Sequence, residues 1–181
     1  MKKYLKIIII LFLALVLIVF YILLRKQQSF NNYSNNMFSI NSVFLNKTKI
    51  PDQYGCHGED INPPLEFHEI PEGAKSLVLI IDDPDAPSGD WVHWLIFNIN
   101  PQTTTIAEHS IPKGAIVGVN SFGENIYEGP CPPSGTHHYN FKLYAIDTVL
   151  NLGSKVEKSD VLAAIKGHII AQTILTGTYN K

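Results

Sequence analysis

Cysteine is scarce in this chain: Cys56 and Cys131 are the only two among 181 residues. With no Cys-x-x-Cys pair, a structural zinc site of the usual spacing is excluded. In an oxidising compartment the two can join in one disulfide, and otherwise they stay two thiols; the sequence leaves both open. Basic clusters are missing too. Five of the 14 basic residues (Lys2, Lys3, Lys6, Arg25 and Lys26) sit near the amino terminus, while all 16 acids come later, so residues 27–181 carry nine bases against 16 acids, a net charge of −7 with histidine neutral. That balance makes nucleic acid a poor partner. No internal repeat and no His-x-x-x-His pair occur. A P-loop is also absent, because five residues separate Gly129 from Gly135 and no lysine follows.

What the chain does have is one long apolar run, "IIIILFLALVLIVFYILL" (7–24), flanked by lysines before and Arg25-Lys26 after. Its 18 residues approach the roughly 20 needed to cross a bilayer core. A cleaved signal peptide has a shorter apolar region and a small-residue cleavage site, and Ala14 in mid-run supplies neither. The expectation is a basic segment (1–6), an uncleaved transmembrane signal anchor (7–24), a flexible linker "QQSFNNYSNN" (27–36) and a folded domain (37–181). Three lysines and the free amine on the amino-terminal side favour a single-pass protein with its domain outside the cytoplasm.

Within the domain, "SLVLIID" (76–82), "VHWLIFNI" (92–99) and "YNFKLYAID" (139–147) are strand candidates, rich in β-branched and aromatic residues and bordered by Pro, Gly or Asp. "INPPLEF" (61–67) reads as a short strand after two prolines. Val161, Leu162, Ile165 and Ile169 follow Ser159, a suitable N-cap, at helical spacing, which predicts a helix to about Ala171. "TILTGTY" (173–179) reads as a closing strand. The short connections favour antiparallel pairing in a mainly β domain.

Alternation places His93, Leu95, Phe97 and Ile99 on one strand face, and His137, Tyr139, Phe141, Leu143 and Ala145 on another. Each row ends in a histidine at the rim of the core. "DDPDAP" (82–87) shows Asp83 and Asp85 on backbone stiffened by prolines. These residues allow a zinc site, nucleophilic catalysis or anion binding. Zinc is disfavoured because His137 and His138 point to opposite faces of a regular strand. Nucleophilic catalysis is disfavoured because neither Ser134 nor Cys131 sits in a recognisable nucleophile turn. Histidine N–H groups, the Tyr139 hydroxyl and free backbone N–H groups of the Gly- and Pro-rich stretch before His137 suit an anion.

"DDPDAP", "WVHW" (91–94) and "GPCPPSGTHHYNFKLYAID" (129–147), in that order, resemble the two signature blocks of the phosphatidylethanolamine-binding protein family, in its bacterial and archaeal Raf-kinase-inhibitor-like branch. The similarity extends over about residues 38–179 and includes "CHGEDINPPLEF" (56–67), "NSFG" (120–123) and "GHIIAQTILTGTY" (167–179). The resemblance implies a large antiparallel sheet packed on a smaller one, with peripheral helices, here preceded by the expected transmembrane helix. It also implies a surface pocket for phosphate-bearing groups such as a phospholipid head group. By position, Asp83, His93, His137 and Tyr139 match its pocket residues, and Cys131 falls in the ligand-facing loop. His57 and His138 depart from the Asp and Arg usual in relatives.

The expected function is therefore a membrane-tethered domain that binds a small phosphate-bearing ligand and modulates a protein partner. The alternative is an inhibitor-type or scaffold module, acting on a protease, a kinase or another regulated protein, whose pocket is structural. No cofactor, metal or catalytic residue is expected.

Overall fold

The computed structural model describes residues 13, 15–26 and 37–181. Its contacts divide into two units, residues 1–37 and Phe38–Lys181. In the first, residues 15–26 form a helix, α1. Among the described residues no helix is long and apolar enough to cross a membrane. The expected transmembrane signal anchor over 7–24 is corrected accordingly, and so are the single-pass membrane location, the extracytoplasmic domain and the membrane as a partner that rested on it. The basic segment 1–6 and the linker 27–36 lie outside the described residues.

The second unit is mainly β. Its elements are β1 (Ser39–Ser42), β2 (Thr48–Lys49), a 3-10 turn (Asp52–Tyr54), β3 (Leu65–His68), β4 (Ser76–Asp83), β5 (Trp91–Ile99), β6 (Thr105–Ile106), β7 (Ile116–Val117), β8 (Thr136–Ile146), α2 (Lys158–Ile165) and β9 (Ile169–Asn180). A six-stranded sheet runs β2-β9-β8-β4-β5-β7 and a three-stranded sheet runs β1-β3-β6. All described pairings are antiparallel except β2 with β9.

All eight residues of β4 are buried, because both faces of the strand are covered. Leu77, Leu79 and Ile81 pack with Leu65, Phe67 and Ile106 of the small sheet. Val78 and Ile80 face the other way, against Val161 and Ile165 of α2. The same alternation sends the two aspartates at the end of β4 to opposite sides. Asp82, fully buried, accepts hydrogen bonds from Lys142 (2.6 Å) and Lys158 (2.5 Å) through one oxygen and so ties α2 to the sheet. Asp83 is left for the rim of the inter-sheet core.

α2 ends at Ile165, six residues before the predicted end at about Ala171. Glu157 rather than Ser159 is its N-cap, in a reciprocal capping box with Asp160. Gly167 adopts a positive φ of 84°, which ends the helix, and the chain from Ile169 extends along β8. Ile169 thus belongs to β9 and lies 43% exposed, outside the helical stripe.

Candidate functional site

The ends of β4, β5 and β8 meet beside the segment Glu128–Gly135. β8 alternates regularly: His137, Tyr139, Phe141, Leu143 and Ala145 are buried on one face. β5 does not alternate. Ile81 pairs with Trp94 and Asp82 with Val92, so the register skips His93, which sits at a β-bulge. Trp94 and Ile96 therefore enter the inter-sheet core while Val92, Leu95 and Phe97 enter the α2 side, and a second register shift, opposite Leu77 and Leu79, returns Ile99 to the inter-sheet core. The expectation that His93, Leu95, Phe97 and Ile99 share a face is corrected. The bulge, not the pleat, turns His93 against Tyr139, with ring centroids 5.2 Å apart.

Each polar group here is held by a specific partner. The Asp83 Oδ1 atom accepts the Asp85 N–H (2.8 Å), an Asx-type contact inside "DDPDAP". Asp83 Oδ2 lies 2.7 Å from His137 Nδ1, and both side chains are almost fully buried. His93 Nδ1 donates to the Glu128 carbonyl (2.8 Å), since a carbonyl can only accept. Burial pushes the His93 imidazole below its ordinary value, against the opposing pull of the Glu128 carbonyl and the Asp83 charge. No described residue bonds Nε2 of either His93 or His137. The Tyr139 hydroxyl is buried with no partner at hydrogen-bonding geometry. Burial, and after it the nearby Asp83 carboxylate, raise the Tyr139 hydroxyl far above its ordinary value.

His138 points outward. Its backbone N–H and its Nδ1 both reach Asp85 Oδ2, at 2.8 and 2.7 Å. These bonds hold the Asp85 carboxyl below its ordinary value. The strand therefore carries two Asp–His pairs side by side, one buried and one exposed.

The loop before β8 is pinned along its length. Glu128 N–H donates to the His93 carbonyl (3.2 Å) and Cys56 N–H to the Pro130 carbonyl (3.1 Å). Gly129 N–H donates to Asp60 Oδ1 (2.6 Å). Cys131 and Cys56 form a disulfide, with Cα atoms 5.4 Å apart, which settles the question their sequence left open. Both cysteines are exposed. Asp83, His93 and Cys131 line a cavity of about 310 Å³ together with Pro87, Trp91 and Phe122. His137 and Tyr139 do not line this cavity themselves; they stand behind it, His137 bonded to Asp83 and Tyr139 packed on His93. Sequence reasoning missed Trp91 and Phe122 as walls, although both lie in the quoted blocks "WVHW" and "NSFG". It also missed Asp60, and no local signal marks that residue, because its partner is 69 residues away.

The sequence model of the family described as phosphatidylethanolamine-binding protein matches residues 40–180. A UPF0098 protein of Methanothermobacter thermautotrophicus is 48% identical over 144 residues, covering 77% of this chain and 95% of the relative. One from Pyrococcus horikoshii is 45% identical over 152 residues, covering 78% and 76% respectively. Among solved structures, the putative phosphatidylethanolamine-binding protein homolog CT736 of Chlamydia trachomatis aligns with a TM-score of 0.78 and 43% identity, over 81% of this chain and 99% of that one. YbcL of E. coli, described as a new member of the mammalian PEBP family, aligns with a TM-score of 0.74 and 29% identity, over 80% and 98%.

Proposed function

Starting from the fact that this chain belongs to the phosphatidylethanolamine-binding protein family, we propose that the cavity beside His93 binds a small phosphate-bearing anion. One observation carries the reading. Both oxygens of Asp83 are engaged, Oδ1 by the Asp85 N–H and Oδ2 by His137, so the carboxylate is turned inward as a brace. The Nε2 atoms of two histidines, each anchored through Nδ1, remain for a ligand. Neutral His93, its Nδ1–H donated to Glu128, has a lone pair on Nε2. It binds a dianion only by taking up a proton, or a monoanion by accepting the P–OH hydrogen. Few hydrogen bonds in an open site suggest roughly millimolar affinity for a free head group.

Titration calorimetry with inorganic phosphate and a simple phosphomonoester tests this. Wild type should bind, and His93→Ala and His137→Ala should lose the heat of binding. Equal affinity in all three proteins would sink the reading. A protein partner is the second reading, favoured by Phe122, which is 47% exposed at the rim. In that case Phe122→Ala weakens capture of the partner while phosphate affinity is unchanged.

A further inference from the structure

A second cavity, of about 400 Å³, lies on the other side of the Tyr127–Gly129 segment and is lined by Asp60, Ile61, Trp94, His109, Ile126 and Tyr127, among others. Its walls are fixed. Asn62, buried, accepts the Ser110 N–H (2.9 Å) and donates to the Ala107 carbonyl (3.0 Å), which joins the Asp60 and His109 segments. Tyr127 donates to the Tyr54 carbonyl (2.8 Å) and meets Trp94 edge-on at 5.5 Å. Asp60 and His109 both adopt a positive φ, 55° and 51°, a strained backbone for residues with a Cβ. The Trp94 Nε1–H in the wall is buried without an acceptor. Ile111 and Ile126 stand exposed at the rim.

The charge around this cavity is one-sided. Asp60 keeps one oxygen for Gly129 N–H, and no described residue bonds the other. The field of these acids reaches their neighbours. After burial, Asp60 and Glu124 raise the Glu128 carboxyl, and Asp60 raises the Tyr127 hydroxyl. After burial, Glu108 and Glu59 raise the Tyr54 hydroxyl. Among the described residues none of Glu59, Asp60, Glu108, Glu124 and Glu128 forms an ion pair. No lysine or arginine lines the cavity, and His109 makes no described bond to Asp60.

We propose that this cavity binds a small organic cation: an ammonium group at the free oxygen of Asp60, with an apolar body against Tyr127, Ile61 and Ile126. An aromatic and apolar wall under uncompensated negative charge attracts a weakly hydrated ammonium, through the ring faces as well as the carboxylate. The inference does not depend on what the His93 cavity binds.

The chain's two tryptophans report separately, since Trp94 lines this cavity and Trp91 the other. The full chain, labelled at the indole nitrogens, is titrated with phenethylammonium and with neutral 2-phenylethanol. The Trp94 indole resonance should shift saturably with the ammonium and about tenfold more weakly with the alcohol. Asp60→Asn keeps a carbonyl for Gly129 N–H and removes only the charge, and should weaken the ammonium to the level of the alcohol. Equal affinity for the two probes, an undiminished response in Asp60→Asn, or a shift confined to Trp91 overturns the proposal. Should the variant fail to fold, the two probes on the wild-type chain still decide.

Discussion

His93 and Trp94 are neighbours on β5, yet they line different cavities, each with one aspartate that is bonded differently. His93 looks into a space walled by Trp91, Phe122, Pro87 and Cys131, where the one carboxylate is turned inward and occupied. Trp94 looks into a space of aromatic and aliphatic walls, where no described residue bonds the second oxygen of Asp60 and no lysine or arginine lines the cavity. The wall between them is pinned from both sides, by His93 on the Glu128 carbonyl and by Asp60 on the Gly129 N–H. A carboxylate thus serves as a brace in one cavity and as a charge in the other, and the bonds around it, not its residue type, decide which.

The largest way to break this arrangement is through the disulfide, which belongs to the His93 side. Its partners are 75 residues apart, and closing such a loop restricts the unfolded chain by roughly 4 kcal/mol. Cys56→Ser with Cys131→Ser should lower the thermal midpoint by roughly 10 °C, as should a dithiol reductant on wild type. Unchanged midpoints in calorimetry would show that the pinned backbone alone holds the loop. Next is Gly129→Ala. A Cβ there meets the Tyr54 carbonyl and the Asp60 carboxylate, neither free to move, so about 1–3 kcal/mol of stability should go, and with it both indole responses. A loss on one side only would mean that the wall is not shared.

His137→Ala comes third. It should weaken phosphate by at least about tenfold, as expected for a lost charge-assisted bond, and leave the ammonium response of Trp94 intact. Calorimetry with each probe in turn separates the two sides.

The fourth is a dependence on pH. Burial lowers His93 below the ordinary 6.5, so the unfolded chain takes up the proton first as pH falls. The stability contributed by neutral His93 is present above 6.5 and is lost as pH falls from there through the folded-state value. Phosphate, which draws a proton onto that ring, should bind more tightly across the same window and stabilise the fold most at its acid end. Denaturation curves with and without phosphate at several pH values measure both trends, and a His93→Phe chain should show neither. The smallest effect belongs to His138→Ala. Its pair with Asp85 is exposed, at 54% and 42%, so the change should cost less than about 1 kcal/mol and leave phosphate affinity within about twofold.

Strand chemistry was legible where it is local. The central apolar runs became β4, β5 and β8 because β-branched and aromatic residues between Pro, Gly and Asp have few other places to go. The separation of His137 and Tyr139 from His138 followed from alternation alone, because β8 is a regular strand. The same reasoning failed on β5, where two register shifts, at His93 and near Asn98, reset the faces, and at the end of α2, where a glycine at positive φ outweighs the helical spacing of Ile169. The apolar run near the amino terminus misled in another way. Hydropathy gives a run its length in residues, but spanning requires one helix that is long and apolar enough, and none among the described residues is.

The sequence by itself determined the family, the mainly β character, and which face of β8 carries His137 and Tyr139. Each of these follows from residue types and spacings within a few positions of one another. Only the tertiary structure decided that Cys56 meets Cys131, that Asp83 is fully occupied, that Asp60 braces Gly129, and that His93 and Trp94 open onto separate cavities. Those outcomes depend on strand register and loop closure across about 50 to 75 residues, distances over which no local preference acts.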